Sequence, residues 1–357
     1  MKKHLALIMA ILMTAALLAG CGSSGGSSAA ASGSASASKS AATSAAASGQ
    51  KFEIIAAHGA AESTTLHKAW LKFQELVQEK SGGNITVNLY PNQELGGDRE
   101  YTEACTQGNV TMGSPSTANM AGFAPAVNAF ETPFLFSDRE TVYKVLDGTA
   151  GQAVLDSLSS GGLKGLGYYE NGFRQLTANK IIKSPDDLKG LKIRVMENEI
   201  HLALWTALGA NPSPLAFGEL FTALQQKTFD AQENPLELIY NTKFYEVQKY
   251  VMMTKHIYTP YVIYMNLDFW NNLPADYQTM IQDCVKESMD YQRSLCEQAE
   301  KDCRDAINAS GKCEVVDLTD AERQTFVDKC SSVYDMVKKA AGGTYAQDVW
   351  TAAGANF

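Results

Sequence analysis

From Pro274 to Ser310 the apolar residues keep to one side of a helix, and this stripe limits the architecture more than any other part of the chain. Tyr277, Met280, Ile281, Cys284, Val285, Met289, Leu295, Cys296, Ala299, Cys303, Ala306 and Ile307 recur at mostly three- and four-residue spacing. Some 36 helical residues at about 1.5 Å each extend roughly 54 Å. A lobe of ordinary size is narrower than that, so the stripe is expected to lie across two.

The preceding sequence supplies them. Lys51–Ala57 reads as a strand, and about 64–80 as a helix with Leu66, Ala69, Trp70, Phe73, Leu76 and Val77 on one face before Gly82. Ile85, Val87 and Leu89 alternate as a second strand; 98–107 form a short helix and 110–113 a third strand. After Gly165 the pattern resumes. Ser184-Pro185-Asp186-Asp187 has the chemistry of a capped helix start, with two carboxylates at the positive end of its dipole. Leu191, Ile193 and Val195 then alternate as a strand, and 198–208 and 217–227 read as helices. Strand–helix alternation predicts α/β units with parallel sheets. Two such units of about 150 residues are expected under one bridging helix. One lobe takes 51–171 and 260–300, the other 172–259 and 301–357.

The first fifty residues stand outside this pattern. Lys2 and Lys3 precede an apolar run from Leu5 to Leu18, the layout of an export signal (1–20), shorter than the roughly 20 residues of a spanning helix. Leu18-Ala19-Gly20-Cys21 resembles the lipobox of bacterial lipoproteins, which implies diacylglyceryl modification of Cys21 and a lipid anchor to the membrane. Residues 22–50 are Gly, Ser or Ala apart from Lys39, Thr43 and Gln50, a composition suited to a flexible tether (21–50 with Cys21). The predicted location is the outer face of the cell membrane, or the periplasm. With 39 acidic against 30 basic side chains the net charge is −9, and no long basic run occurs. Nucleic acid is therefore a poor partner, because phosphate neutralisation needs clustered Lys and Arg.

Motifs of catalysis are missing. No strand-to-helix G-x-S-x-G elbow, H-E-x-x-H or phosphate loop occurs, and the spacing from Gly162 to Gly167 does not fit a dinucleotide fingerprint. No enzyme activity and no cofactor are expected. His58, Glu62 and His67 are donor types that suit several metals, but they also fit a turn and first helical turn facing a cleft, so no metal is assigned. Cys105, Cys284, Cys296, Cys303, Cys313 and Cys330 include no C-x-x-C pair. Cys303 with Cys313 is the easiest disulfide to imagine.

The informative block runs from Tyr168 to Pro235. It contains Gly172-Phe173-Arg174-Gln175, Leu188-Lys189-Gly190-Leu191-Lys192-Ile193-Arg194-Val195, Pro214-Leu215-Ala216-Phe217 and Asp230-Ala231-Gln232-Glu233-Asn234-Pro235. With Tyr90-Pro91-Asn92-Gln93-Glu94-Leu95-Gly96 and the long helix, it resembles the DctP-type solute-binding proteins of TRAP (tripartite ATP-independent periplasmic) transporters, over 51 to about 340. The resemblance implies a two-lobed, periplasmic-binding-protein-like (Venus flytrap) fold. It also implies a small organic acid as ligand and two membrane permease subunits, one small and one large, as partners.

Residue roles follow from the same resemblance. Arg194 matches the arginine that pairs through two bonds with the ligand carboxylate, a task for a planar guanidinium. Arg174 matches a second arginine beside that carboxylate, and Asn234 the amide that completes it. Phe217 matches an aromatic over the ligand's carbon skeleton, though a core role fits it equally. Sialic-acid binders carry an acidic residue where Ser114 stands here, which argues against that ligand. His58, Glu62, Ser114, Glu170 and Asn171 can supply hydrogen bonds to hydroxyls. A hexuronate or other sugar acid is the first expectation and a C4-dicarboxylate the second. A ligand-binding co-receptor for a sensor kinase, or a lipoprotein enzyme acting on carboxylates, are the competing classes.

Overall fold

The apolar stripe forms a single helix, Ala275–Ala309, of 35 residues. Its two ends serve different cores. Ile281 and Val285 pack with Ile54, Leu66, Trp70, Phe73, Val77 and Ile85, whereas Cys303 and Ile307 pack with Leu220, Leu224, Leu236, Phe244 and Val251. Each fully buried aliphatic side chain contributes about 1.5–3 kcal/mol, so both ends are held firmly. The computed structural model describes residues 50–357; the expected export signal, Cys21 and all of the expected tether but Gln50 lie outside them.

The strands follow in chain order: β1 (Phe52–Ala57), β2 (Ile85–Tyr90), β3 (Met112–Gly113), β4 (Leu163–Ala178), β5 (Lys192–Val195), β6 (Asn211–Pro214), β7 (Ala231–Pro235), β8 (Tyr250–Met253), β9 (Tyr258–Asn266) and β10 (Glu314–Asp317). Their hydrogen-bonded order is β2-β1-β3-β9-β4-β7-β5-β6, with β8 joining β4 to β10. The first helix, Thr65–Lys80, is capped by Thr64, whose side chain accepts from the His67 amide, and it ends at Ser81 before Gly82 (φ 61°). Ser184 and Asp187 form a reciprocal capping box.

Expected parallel pairing is found between β1 and β2, β1 and β3, β5 and β6, and β5 and β7. The centre departs from it. β4 runs antiparallel to β9 from Leu163 to Phe173, then antiparallel to β7 from Arg174 to Ala178. One 16-residue strand thus links both halves of the sheet, and its register shifts between Glu170 and Gly172, shortly before it exchanges β9 for β7. Gly172 sits at φ 114°, a conformation closed to most side chains. Both faces of β4 are covered, which erases the alternation that would have marked it as a strand.

Two further differences concern helices and thiols. The expected helix over 217–227 divides into a 3-10 turn, Phe217–Glu219, and a short helix, Leu220–Gln225. The helices Ser331–Ala341 and Tyr345–Ala352 both pack against the turn Pro125–Glu131, and the former also against Glu199–Ala207. The imagined Cys303–Cys313 bridge is corrected: all six cysteines from Cys105 onward are free and buried. Cys303 and Cys313 share one apolar core, where burial pushes both thiols up to about 12 and disfavours the thiolate that disulfide exchange requires.

Candidate functional site

Strand register brings the two expected arginines to one place. On β4, Arg174 stands opposite Pro235 of β7; on β5, Arg194 stands opposite Gln232 of the same strand. Arg174 is wholly buried. Its Nε and Nη2 donate to the Glu233 carboxylate, and Nη2 also donates to the Glu233 carbonyl (2.6 Å) and to Asn234 Oδ1 (2.9 Å). Arg194 is 2 % exposed and donates from Nε (2.8 Å) and Nη2 (2.6 Å) to the Leu215 carbonyl.

In each guanidinium the remaining nitrogen, Nη1, is buried without a partner. Leaving such a donor unpaired costs about 1–3 kcal/mol, more when it is charged. Both arginines line a single partly open cavity, about 790 Å³ with the solvent at its mouth included, together with Asn171, Phe217, Asn234 and Tyr261. Burial depresses Arg194, partly offset by Glu233, to about 10, so it remains a cation at neutral pH. Two fixed cations with spare N–H groups in one cavity suit an anion, and a planar carboxylate suits guanidinium best.

Beneath Arg174 lies a buried network absent from the sequence expectations. Glu233 accepts from His256 Nε2 (2.9 Å) and lies 3.7 Å from His201 Nδ1. His201 Nε2 meets Glu131 Oε2 at 2.9 Å, and Thr117 Oγ1 donates to the other Glu131 oxygen (2.6 Å). Burial would raise the Glu233 carboxyl, but Arg174 and the two histidines hold it well below the usual range. Burial opposes protonation of His201, yet its bond to Glu131 and the nearby Glu233 carboxylate raise it overall. Burial lowers His256. Its bonds assign a neutral ring, with Nε2–H to Glu233 and Nδ1 accepting from Thr254 Oγ1 (2.7 Å).

Of the nine expected ligand residues, Arg174, Arg194, Asn171, Asn234 and Phe217 line this cavity. Glu170 does not; with Asn171 it lines a neighbouring cavity of about 290 Å³, where it binds Arg139 Nε (2.9 Å) and Tyr143 Oη. Ser114 is buried and accepts from Trp70 Nε1 (2.8 Å). His58 Nε2 faces His67 Nδ1 at 3.1 Å, and burial with His67 beside it lowers His58 to about 3. Glu62 is exposed. None of these last three lines the cavity; Gly59 and Ala60, just after His58, do. Among the described residues no group of three or more His, Cys, Asp or Glu side chains is placed to hold a metal.

The residues that sequence reasoning missed include Gln93, Asp98, Glu100, Ser116, Asn119 and Glu197, all on the cavity wall. A signal existed in Asn92-Gln93, a left-handed turn (φ 53° and 62°) after β2, and in Gly96-Gly97 before the helix Asp98–Thr106. That turn and helix start carry Gln93 and Asp98 to the backbone at Gly59.

Comparison with known proteins gives this geometry a family. The model for bacterial extracellular solute-binding proteins of family 7 (DctP) matches residues 56–340. The 2,3-diketo-L-gulonate-binding periplasmic protein of Escherichia coli is 34% identical over 281 residues, 78% of this chain and 85% of that protein. The sugar acid binding protein of Advenella mimigardefordensis, solved with galactonate, is 34% identical with a TM-score of 0.82, covering 85% of this chain and 98% of that one. A TRAP periplasmic solute-binding protein of Shewanella oneidensis, solved with succinate, is 35% identical with a TM-score of 0.81, covering 85% and 99%. The chain therefore belongs to the DctP family of TRAP solute-binding proteins.

Proposed function

We propose that this protein is the extracytoplasmic receptor of a TRAP transporter and captures a small organic acid in the cavity between its lobes. The observation that carries the reading is the pair of buried, unpartnered Nη1 groups on Arg174 and Arg194. A ligand carboxylate satisfies both. Asn234, itself bonded to Gln232 Oε1 (2.6 Å) and Arg174, keeps the fork rigid, Asn171 offers a further unpartnered amide oxygen, and Phe217 covers the carbon chain. Relatives solved with galactonate, β-D-glucuronate and succinate support sugar acids and C4-dicarboxylates as the ligand classes.

The receptor closes on its ligand, docks on the membrane permease subunits and releases the ligand chemically unchanged. In this reading a lipid on Cys21 and the tether behind it keep the receptor near those subunits. The test is a thermal-shift screen against uronates, aldonates and C4-dicarboxylates, with the mixture followed by NMR for turnover. A ligand at a hundredfold excess over its Kd is expected to stabilise the protein by about 2.7 kcal/mol and to be recovered intact. A screen without any carboxylate hit, or with conversion of the hit, overturns the proposal.

A further inference from the structure

The wall that faces the ligand alongside the two arginines is acidic. Asp98 begins the helix Asp98–Thr106, and its carboxylate is fixed by three donors. Oδ2 accepts from the Ser116 amide (3.0 Å) and from Asn119 Nδ2 (2.9 Å), while Oδ1 accepts from the Tyr101 hydroxyl (2.9 Å). A carboxylate has about four lone-pair sites, so Oδ1 retains one. The backbone leaves room beside it: a Cβ on Gly59 would stand 3.2 Å from Oδ1, and Gly59 is itself part of the cavity wall. Burial pushes the Asp98 carboxyl up overall, and the bonds from Asn119, Ser116 and Tyr101 offset part of that push; its acceptor role is fixed by their geometry.

Other charges on the wall reinforce this polarity. Glu100 and Glu197 line the cavity, and the one further cation there among the described residues, Arg99, is exposed and turned to Glu103, with Nε 3.0 Å from Oε1. A carboxylate accepts hydroxyl hydrogens and repels a second carboxylate, so like charges set side by side suppress the wrong ligand. We infer that Asp98, assisted by Glu100, selects ligands with one carboxylate and a hydroxylated chain, and disfavours dicarboxylates. This inference rests on the proposed function, because it assumes the carboxylate is held by Arg174 and Arg194. It also transfers the hydroxyl-binding task from His58, Glu62 and Ser114 to a segment that does line the cavity.

The test is calorimetric titration of D-galactonate, D-glucuronate and succinate into the wild-type protein, Asp98→Asn, Glu100→Gln and Arg99→Ala. The wild type is expected to bind at least one of the sugar acids about tenfold or more tightly than succinate. Asp98→Asn should narrow that ratio by weakening the hydroxy acids and relieving succinate, and Glu100→Gln should narrow it less. The ratio is the informative quantity, since general loosening weakens all three ligands alike. Because Asp98 also holds Ser116 and Asn119, the exposed Glu100 provides the readout if Asp98→Asn fails to fold. Succinate binding as tightly as the sugar acids, an unchanged ratio in the folded Asp98 and Glu100 variants, or a succinate site dependent on Arg99 overturns this inference alone. Failure of all three ligands and of every other carboxylate would overturn the proposed function as well.

Discussion

Arg174 and Arg194 divide their donors in the same way: Nε and Nη2 are spent on the protein and Nη1 is kept. The protein contacts fix each fork, so a ligand need not order it, and this preorganisation favours affinity. Arg194→Lys therefore should lose most binding although it keeps the charge, because an ammonium cannot both hold the Leu215 carbonyl through two donors and present a third in the guanidinium plane. Titration calorimetry checks this, and unchanged affinity in Arg194→Lys would show that charge alone suffices. His201 supplies a pH test. A histidine raised above its ordinary 6.5 adds stability that is fully present below that value and disappears as pH rises through the folded-state value. His201→Gln should accordingly cost on the order of 3 kcal/mol in urea unfolding at pH 6 and distinctly less at pH 9. An equal loss at both would mean that the ring is neutral. Both arginines were legible because their strand motifs are local. Glu233, His201 and Glu131 were not, because long-range pairing alone assembles them. Serine at 114 looked available for a ligand, but Trp70 occupies its hydroxyl oxygen.

Among elements, β4 and the long helix join the lobes, and they touch at Gly167. A Cβ there would fall 2.5 Å from Met289 Sδ, so the helix crosses where the strand has no side chain. Gly167→Val is expected to lower stability by about 1–3 kcal/mol through overpacking, read as a drop in melting temperature; a neutral result would show that the helix can lift without cost. A second joint lies where β7 runs into the helix Leu236–Asn241. Glu237 reaches the other lobe's first helix, accepting from the Thr65 amide and hydroxyl (2.8 Å each), and thus neutralises a helix N-terminus. Leu238, the next residue, lines the ligand cavity. Glu237→Ala should weaken ligand binding by roughly 0.5–2 kcal/mol, the range of a lost helix cap, and enlarge the radius of gyration in small-angle scattering of the ligand-free protein. Unaltered affinity and radius would remove Glu237 from lobe closure. The long helix was readable because its stripe persists for nearly nine turns, about 3.6 residues each, from Tyr277 to Ile307. β4 was not, since a strand buried on both faces with Glu170, Asn171 and Arg174 inside it shows neither alternation nor an apolar run.

At the scale of the whole molecule, two lobes face each other across a cavity, and hydrogen bonds beside it already join distant segments. Besides Thr65 with Glu237, Asn198 Nδ2 donates to the Ala118 carbonyl (3.1 Å) and to Asn128 Oδ1 (2.9 Å), and Ser63 Oγ donates to Asn241 Oδ1 (2.6 Å). Under the proposed function, ligand and these bonds together would favour one closed arrangement, the form that a permease would distinguish. Family and two-lobed fold were both readable from motifs spread over most of the chain. The identity of the cavity's second wall was not, because residues 93–100 meet 116–119 and 194–217 only after the sheet assembles. The most direct trial is calorimetric titration of D-galactonate, D-glucuronate and succinate into the wild-type protein and Arg194→Ala. Binding in the wild type with a loss of about 2–5 kcal/mol in the variant is expected; equal affinity in the two proteins would contradict a carboxylate held by Arg194.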